Sequence, residues 1–202
     1  VSVCRTQGFA SASLALLFCL GAPRAVLAES EGLDGKDAMI RLPSPTYESK
    51  TDLNKALQER RSVREYRDEP LLLAHISQLL WVAQGVTSLG GYRTAPSAGA
   101  LYPLEVYVVA GHVTGLPSGI YKYNAPQHTL TKMSDGDRRQ ALAAAALGQD
   151  WLAKAPAVIA VSAVYPRTTG KYGERGTRYV HMEVGHAGQN VALEAVSLGL
   201  GT

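Results

Sequence analysis

The chain has 202 residues, enough to bury a core of its own, and 46% hydrophobic against 18% charged residues excludes a disordered chain, a collagen or a charged coil. Two cysteines exclude a small disulfide scaffold. Lys and Arg together number 20 against 17 Asp and Glu, a formal net charge of +3 with no basic block, so no nucleic-acid partner is expected.

Residues 1–28 read as an export signal. Arg5 supplies a positive start, Phe9 to Ala22 is mostly apolar and uncharged, and Val26-Leu27-Ala28 resembles a cleavage site. The apolar stretch is shorter than the roughly 20 residues of a membrane span, so no stable span is expected. Cleavage there removes Arg5, Arg24, Cys4 and Cys19 and leaves a nearly neutral chain without thiolate chemistry. The location is then periplasmic or secreted, and cytoplasmic if the signal is not used.

Residues 29–50 are polar, carry Gly32, Gly35, Pro43 and Pro45, and read as an N-terminal arm. The main domain is expected over 51–202. Thr51 or Asp52 caps a short helix through Arg60, with Leu53, Ala56 and Leu57 on one face. A second helix spans about Ala74 to Val86, and Gly90-Gly91 breaks the chain. Pro96 to Gly99 is a tight turn before a buried strand, Leu104 to Ala110. After a turn at Gly115 to Gly119, Ile120 to Tyr123 and Leu130 to Met133 continue as a meander.

Gly136 to Leu147 reads as a helix and Pro156 to Val164 as the most hydrophobic strand. Arg167 to Gly176 reads as a basic, Gly-containing loop. A long helix covers about Arg178 to Leu198, with Val180, Val184, Ala187, Val191 and Ala195 on one stripe. Met182, Leu193 and Val196 are apolar on other faces, so burial nearly all round is expected. A buried helix that ends in Gly should lead into a further strand, so the domain reads as truncated after Thr202. The mixed order of elements argues α+β or α/β.

Three segments carry candidate chemistry. Arg60-Arg61-Ser62-Val63-Arg64 can hold a phosphate by charge-assisted hydrogen bonds, or it is a solvated helix end. Pro96-Ser97-Ala98-Gly99-Ala100 lets a planar ring approach the backbone, or it is an ordinary turn. Lys171-Tyr172, among Arg167, Arg175 and Arg178, can move a proton, or it belongs to a basic surface loop. No segment is a Rossmann fingerprint, a P-loop or a nucleophile elbow. His181 and His186 lack helical zinc spacing, and His75, His112 and His128 are scattered, so no metal site is expected. Glu183, Gln189 and Asn190 interrupt an apolar helix and should be hydrogen-bonded across helices or across a subunit interface.

From about Ile40 to Gly201 the chain resembles the nitroreductase superfamily, and within it the SagB-type dehydrogenases, relatives of the azoline oxidases. The resemblance rests on five blocks in order. They are residues 60–64, Leu79-Leu80-Trp81-Val82-Ala83-Gln84-Gly85-Val86, residues 93–105 around Pro96 to Gly99, Gly119-Ile120-Tyr121-Lys122-Tyr123, and residues 171–190 around Lys171-Tyr172.

That resemblance implies an α+β sandwich, a central antiparallel or mixed sheet flanked by helices, dimeric, with FMN at the subunit interface. Arg60, Arg61, Ser62 and Arg64 would hold the FMN phosphate and ribityl end. Pro96, Ser97, Ala98 and Gly99 would line the flavin ring from the partner subunit, and the helix from Arg178 would pack on its symmetry mate. Lys171 and Tyr172 would be catalytic. The implied activity is hydride transfer between flavin and a small or modified-peptide substrate, such as azoline-to-azole oxidation. Its alternatives are an NAD(P)H-dependent nitro or quinone reductase, a degenerate flavin-binding module without turnover, and a non-flavin interaction protein on the same fold.

Overall fold

The computed structural model describes residues 13–17, 39–49 and 51–202. Apart from 13–17, the expected export signal lies outside the described residues.

Six strands form one antiparallel sheet in the order β1-β8-β4-β6-β7-β2. They are β1 (Ser13–Leu17), β2 (Met39–Arg41), β4 (Leu104–Ala110), β6 (Gly119–Asn124), β7 (Thr129–Asp135) and β8 (Ala157–Val164). The arm thus contributes β2, which pairs with β7, and Ser13–Leu17 pairs along the outer edge of β8. Two short strands, β3 (Leu71–Leu72) and β5 (Val113–Thr114), form a separate parallel pair that periodicity does not reveal at this length.

The period of two along the central strands sorts the core into two layers. Leu104, Val106, Val108 and Ala110 of β4 join Val161 and Ala163 of β8 on one face. Over them lie α2 (Leu73–Gln84), through Ile76 and Leu80, and α6 (Gly176–Ser197), through Val180, Val184 and Ala187. Val109 and Val158 point the other way, toward α3 (Arg139–Ala145) and α4 (Trp151–Lys154). The result is a sheet between two helical layers. α2 and α6 also pack on each other through Leu79, Val82, Ala83, Val191 and Ala195. α1 (Leu53–Glu59) starts where expected, with the Asp52 carboxylate accepting the Lys55 N–H at 2.9 Å.

Three expectations change. The basic loop after β8 is helical: α5 spans Pro166–Tyr172, and a 3-10 turn, Gly173–Arg175, leads into α6. Pro166 suits a first helical position because it has no N–H to satisfy there, and Gly173 ends the helix at φ +60°. Gly176 allows α5 to cross α6 closely, since a Cβ there would lie 3.0 Å from the Thr168 carbonyl. Second, the helix expected over Gly136 to Leu147 is shorter. Leu147 and Gly148 turn left-handed, and the separate α4 follows. Third, α6 is not buried all round in the single chain. It buries one stripe and exposes His181, Met182, Gly185, His186 and Gln189.

Leu80 has no solvent contact and sits between α2 and the sheet. Leu80→Ala should lower stability by about 3 kcal/mol, read from urea denaturation curves.

Candidate active site

Residues 60–64 leave α1 in an extended course. Arg61 folds back on the helix end, its Nη1 donating to the Gln58 and Arg60 carbonyls at 2.8 and 2.7 Å. That matches the helix-end role for this one arginine. Arg60, Ser62 and Arg64 instead line the mouth of a groove of about 830 Å³. Its walls are mainly apolar, with Ile76 and Leu79 of α2, Leu152 of α4, Val158 of β8 and Val184 of α6, and Glu65, Arg67, Glu69 and Gln189 also border it. Arg60 and Arg64 have no carboxylate within ion-pair distance among the described residues, and the Arg64 guanidinium lies 5.8 Å from the Trp151 ring. His75 stands in the groove wall with a buried Nδ1 that has no hydrogen-bond partner among the described residues. The segment is clamped from behind, because the Val63 N–H donates to the Thr202 carbonyl at 2.8 Å.

The second candidate segment is the turn after Pro96. Gly99, Ala100 and Tyr102 all have positive φ, at 63°, 54° and 44°. Only the first is a glycine, so the loop holds strain that its surroundings must impose. The Ala98 N–H donates to Glu183 Oε1 at 2.9 Å, and the Tyr102 N–H donates to Ser97 Oγ at 2.9 Å. Glu183 projects from α6 and is only 4% exposed. Burial pushes its carboxyl above the usual carboxylate range, and the bonds from Ala98 and Ser97 pull partly the other way. Two turns along α6, Asn190 Nδ2 donates to the Val82 carbonyl at 3.0 Å and lies 3.4 Å from that of Thr94. Glu183 and Asn190 thus bond between elements, as their place on an apolar helix suggested, whereas Gln189 is exposed.

Lys171 and Tyr172 form the C-terminal end of α5 and lie against this loop. A Cβ built on Gly99 would meet Tyr172 Oη at 2.8 Å and Lys171 Nζ at 3.0 Å. Tyr172 packs edge-on against Tyr179 of α6, with centroids 5.2 Å apart. The other end of α5 is tied to β4, where Arg167 Nη2 pairs with Glu105 Oε1 at 2.6 Å. Lys122 Nζ pairs with Glu105 Oε2 at 2.7 Å.

The structure therefore brings Lys171 and Tyr172 against the Pro96–Gly99 loop at Gly99. It does not bring them to Arg60, Ser62 and Arg64, since the groove lining includes none of residues 96–99, 171 or 172. The Glu105 tie was not anticipated; an acidic residue on a buried strand was its only trace in the sequence.

A six-stranded antiparallel sheet between helical layers, with an arginine-mouthed groove and a strained loop, makes the described residues an α+β sandwich. Residues 57–202 match the nitroreductase family model, and the chain belongs to that family. It is 52% identical over 150 residues to the nitroreductase-type protein MJ1384 of Methanocaldococcus jannaschii, covering 74% of this chain and 76% of the relative. It is 30% identical over 122 residues to the trifolitoxin-processing protein TfxB of Rhizobium leguminosarum bv. trifolii, covering 54% of this chain and only 30% of that relative. Among solved structures, a nitroreductase-type protein from Ralstonia eutropha JMP134 superposes with a TM-score of 0.70 at 32% identity, covering 85% of this chain and 80% of that one.

Two outcomes test this geometry. Gly99→Ala places a methyl group on a left-handed residue and against the Lys171–Tyr172 pair. It should cost about 1 kcal/mol in denaturation and shift the Tyr172 ring resonances. The second concerns acid stability. Burial pushes Glu105 up, but the hydrogen bonds from Lys122 and Arg167 outweigh it and hold the carboxyl below its ordinary 4.5. Its contribution is therefore complete above pH 4.5 and is lost as pH falls through the lower folded value. Glu183 acts in the opposite sense, since its raised value makes ionisation costly as pH rises past 4.5. Melting temperatures between about pH 3 and 6 should show a shallower acid limb in Glu105→Gln than in the wild type.

Proposed function

We propose that the protein is an FMN-dependent oxidoreductase that reduces small nitro or quinone compounds at the expense of NAD(P)H. The observation that carries this reading is the pair of arginines, Arg60 and Arg64, without ion-pair partners among the described residues, at the mouth of a mainly apolar groove. The family and the 52% identical relative support the same reading.

The residues present fit FMN. Two cationic forks and the Ser62 hydroxyl suit a phosphate dianion, and the apolar walls suit a planar ring system. His75 Nδ1, without a hydrogen-bond partner among the described residues, offers a polar contact in the groove wall. When bound, FMN supplies reversible hydride exchange. The chain's own part is to hold the phosphate through Arg60, Arg64 and Ser62, to bury the ring against Ile76 and Leu79, and to place a proton donor beside the substrate. Arg61 is already engaged with the end of α1, so its share in the phosphate site is the smallest of the four.

The reading includes a homodimer. Within one chain the Pro96–Gly99 loop lies apart from the groove, so the loop serves the groove of a second copy. The exposed Met182, Gly185, His186 and Gln189 on α6 offer a face for that contact.

A second reading, azoline oxidation on a modified peptide, is favoured by one observation: Lys171 Nζ and Tyr172 Oη converge on the strained loop at Gly99. The resemblance to SagB-type dehydrogenases and the toxin-processing name of one relative point the same way. In this reading the pair removes a proton while the ring's hydride leaves, and aromatisation supplies the driving force.

The full chain, purified and mixed with FMN, should show bound-flavin absorption and should oxidise NAD(P)H in the presence of menadione or a nitroarene. A folded protein that stays colourless with added FMN would overturn the flavin reading. Arg60→Gln with Arg64→Gln should weaken FMN binding by about 100-fold or more. Lys171→Met with Tyr172→Phe should leave flavin bound. Loss of azoline oxidation with retained quinone reduction would favour the second reading, and unchanged azoline turnover would remove the pair from it.

A further inference from the structure

A second pocket, of about 520 Å³, lies beside the strained loop and is separate from the arginine-mouthed groove. Three cations border it, Arg93, Lys122 and Arg167, against one carboxylate, Glu105. Lys122 and Arg167 share that carboxylate from opposite oxygens, at 2.7 and 2.6 Å. Arg93 is the third cation; no carboxylate among the described residues lies within ion-pair distance of it, and Glu105 acts on it only from farther away. Its guanidinium makes one hydrogen bond there, from Nη1 to the neutral Gln84 Oε1 at 3.0 Å, and its Cζ stacks 4.4 Å from the centre of the Tyr102 ring.

This arrangement is not that of a surface arginine. Arg93 is half-buried, and Gln84, which orients it, is 3% exposed. Glu105 attracts Arg93 from farther away but already serves two cations. Three positive charges thus share one carboxylate, and the pocket keeps a net positive charge that a bound anion would offset. The guanidinium has five donors in a planar fork, and a single neutral acceptor leaves most of the fork open toward the pocket. Stacking on Tyr102 fixes its plane. The rest of the wall includes Leu101, Leu104, Val106 and Ala125, which suit a hydrocarbon or an aromatic ring.

We propose that this pocket binds a small carboxylate with an apolar or aromatic body, its carboxylate seated on Arg93 and its body against Leu104 and Ala125. The site shows its preference in its own residues, because the anion already held by Lys122 and Arg167 is a carboxylate. Arg167 also donates to the Tyr102 carbonyl at 3.2 Å. The pocket therefore shares Tyr102 and Arg167 with the loop and with α5, so its occupant borders the residues around Lys171 and Tyr172.

Calorimetric titration of the full chain with benzoate and with benzamide tests this without any turnover. Benzoate should bind at least about ten-fold tighter than benzamide. Arg93→Gln should lose about ten-fold or more of the benzoate affinity at an unchanged melting temperature, and Arg93→Lys should recover part of it. Equal affinity for benzoate and benzamide would overturn the proposal. So would an Arg93→Gln protein with a lower melting temperature and unaltered benzoate affinity, because Arg93 would then serve only the end of α2. If Arg93→Gln does not fold, the wild-type comparison of the two probes and the Arg93→Lys protein decide the matter.

Discussion

Glu183 places a carboxylate inside the protein, on a helix whose neighbouring stripe is Val180, Val184 and Ala187, and that carboxylate accepts the backbone N–H of Ala98. An unpaired carboxylate in that position would be costly, and so would an unpaired N–H on the facing loop. Each satisfies the other. The loop from Pro96 is thereby held to α6 at one point, and Asn190 holds its approach through Val82 and Thr94 two turns on. With both anchors in place the loop keeps three positive φ angles within four residues, and α5 can lay Lys171 and Tyr172 against it.

The two candidate regions differ in how they are built. The groove behind Arg60 and Arg64 is a gap between layers, walled by side chains that the sheet and helices would bury in any case. The loop region is a surface arrangement, made by ties between α5, β4 and α6. Glu105 matters here because it links strands and helix at once, with Lys122 reaching it from β6 and Arg167 from α5. Removing that carboxylate would free the start of α5 and leave three cations facing one another.

The layered fold was largely legible in the sequence. β4 and β8 are runs of β-branched and small apolar residues, and α2 and α6 carry helical stripes, so their pattern states their structure. α5 was not legible, because the basic residues with Gly170 and Gly173 read as a loop over 167–176, while the position of Pro166 at the first turn is what allows a helix. β3 and β5 are two residues each, too short for any period. The candidate segments were visible as clusters, but their grouping was not. That Gly99 meets Lys171 and Tyr172, more than seventy residues away, depends on the crossing of α5 over α6, which Gly176 permits. The half-buried Arg93 was visible only as part of a motif, since its plane and its lack of an ion pair among the described residues are tertiary facts.

α6 runs for 22 residues, about 33 Å at the rise of an α-helix. Near its start it holds the strained loop through Glu183, and just past its end Thr202 grips the Val63 N–H behind the arginines. One rigid rod therefore sets the spacing between the two candidate regions of the chain. Adding a single residue within it would lengthen the rod by about 1.5 Å and turn everything beyond by about 100°. Such a change would leave each region locally intact and put the two out of register, so the helix acts as the molecule's gauge as well as its core.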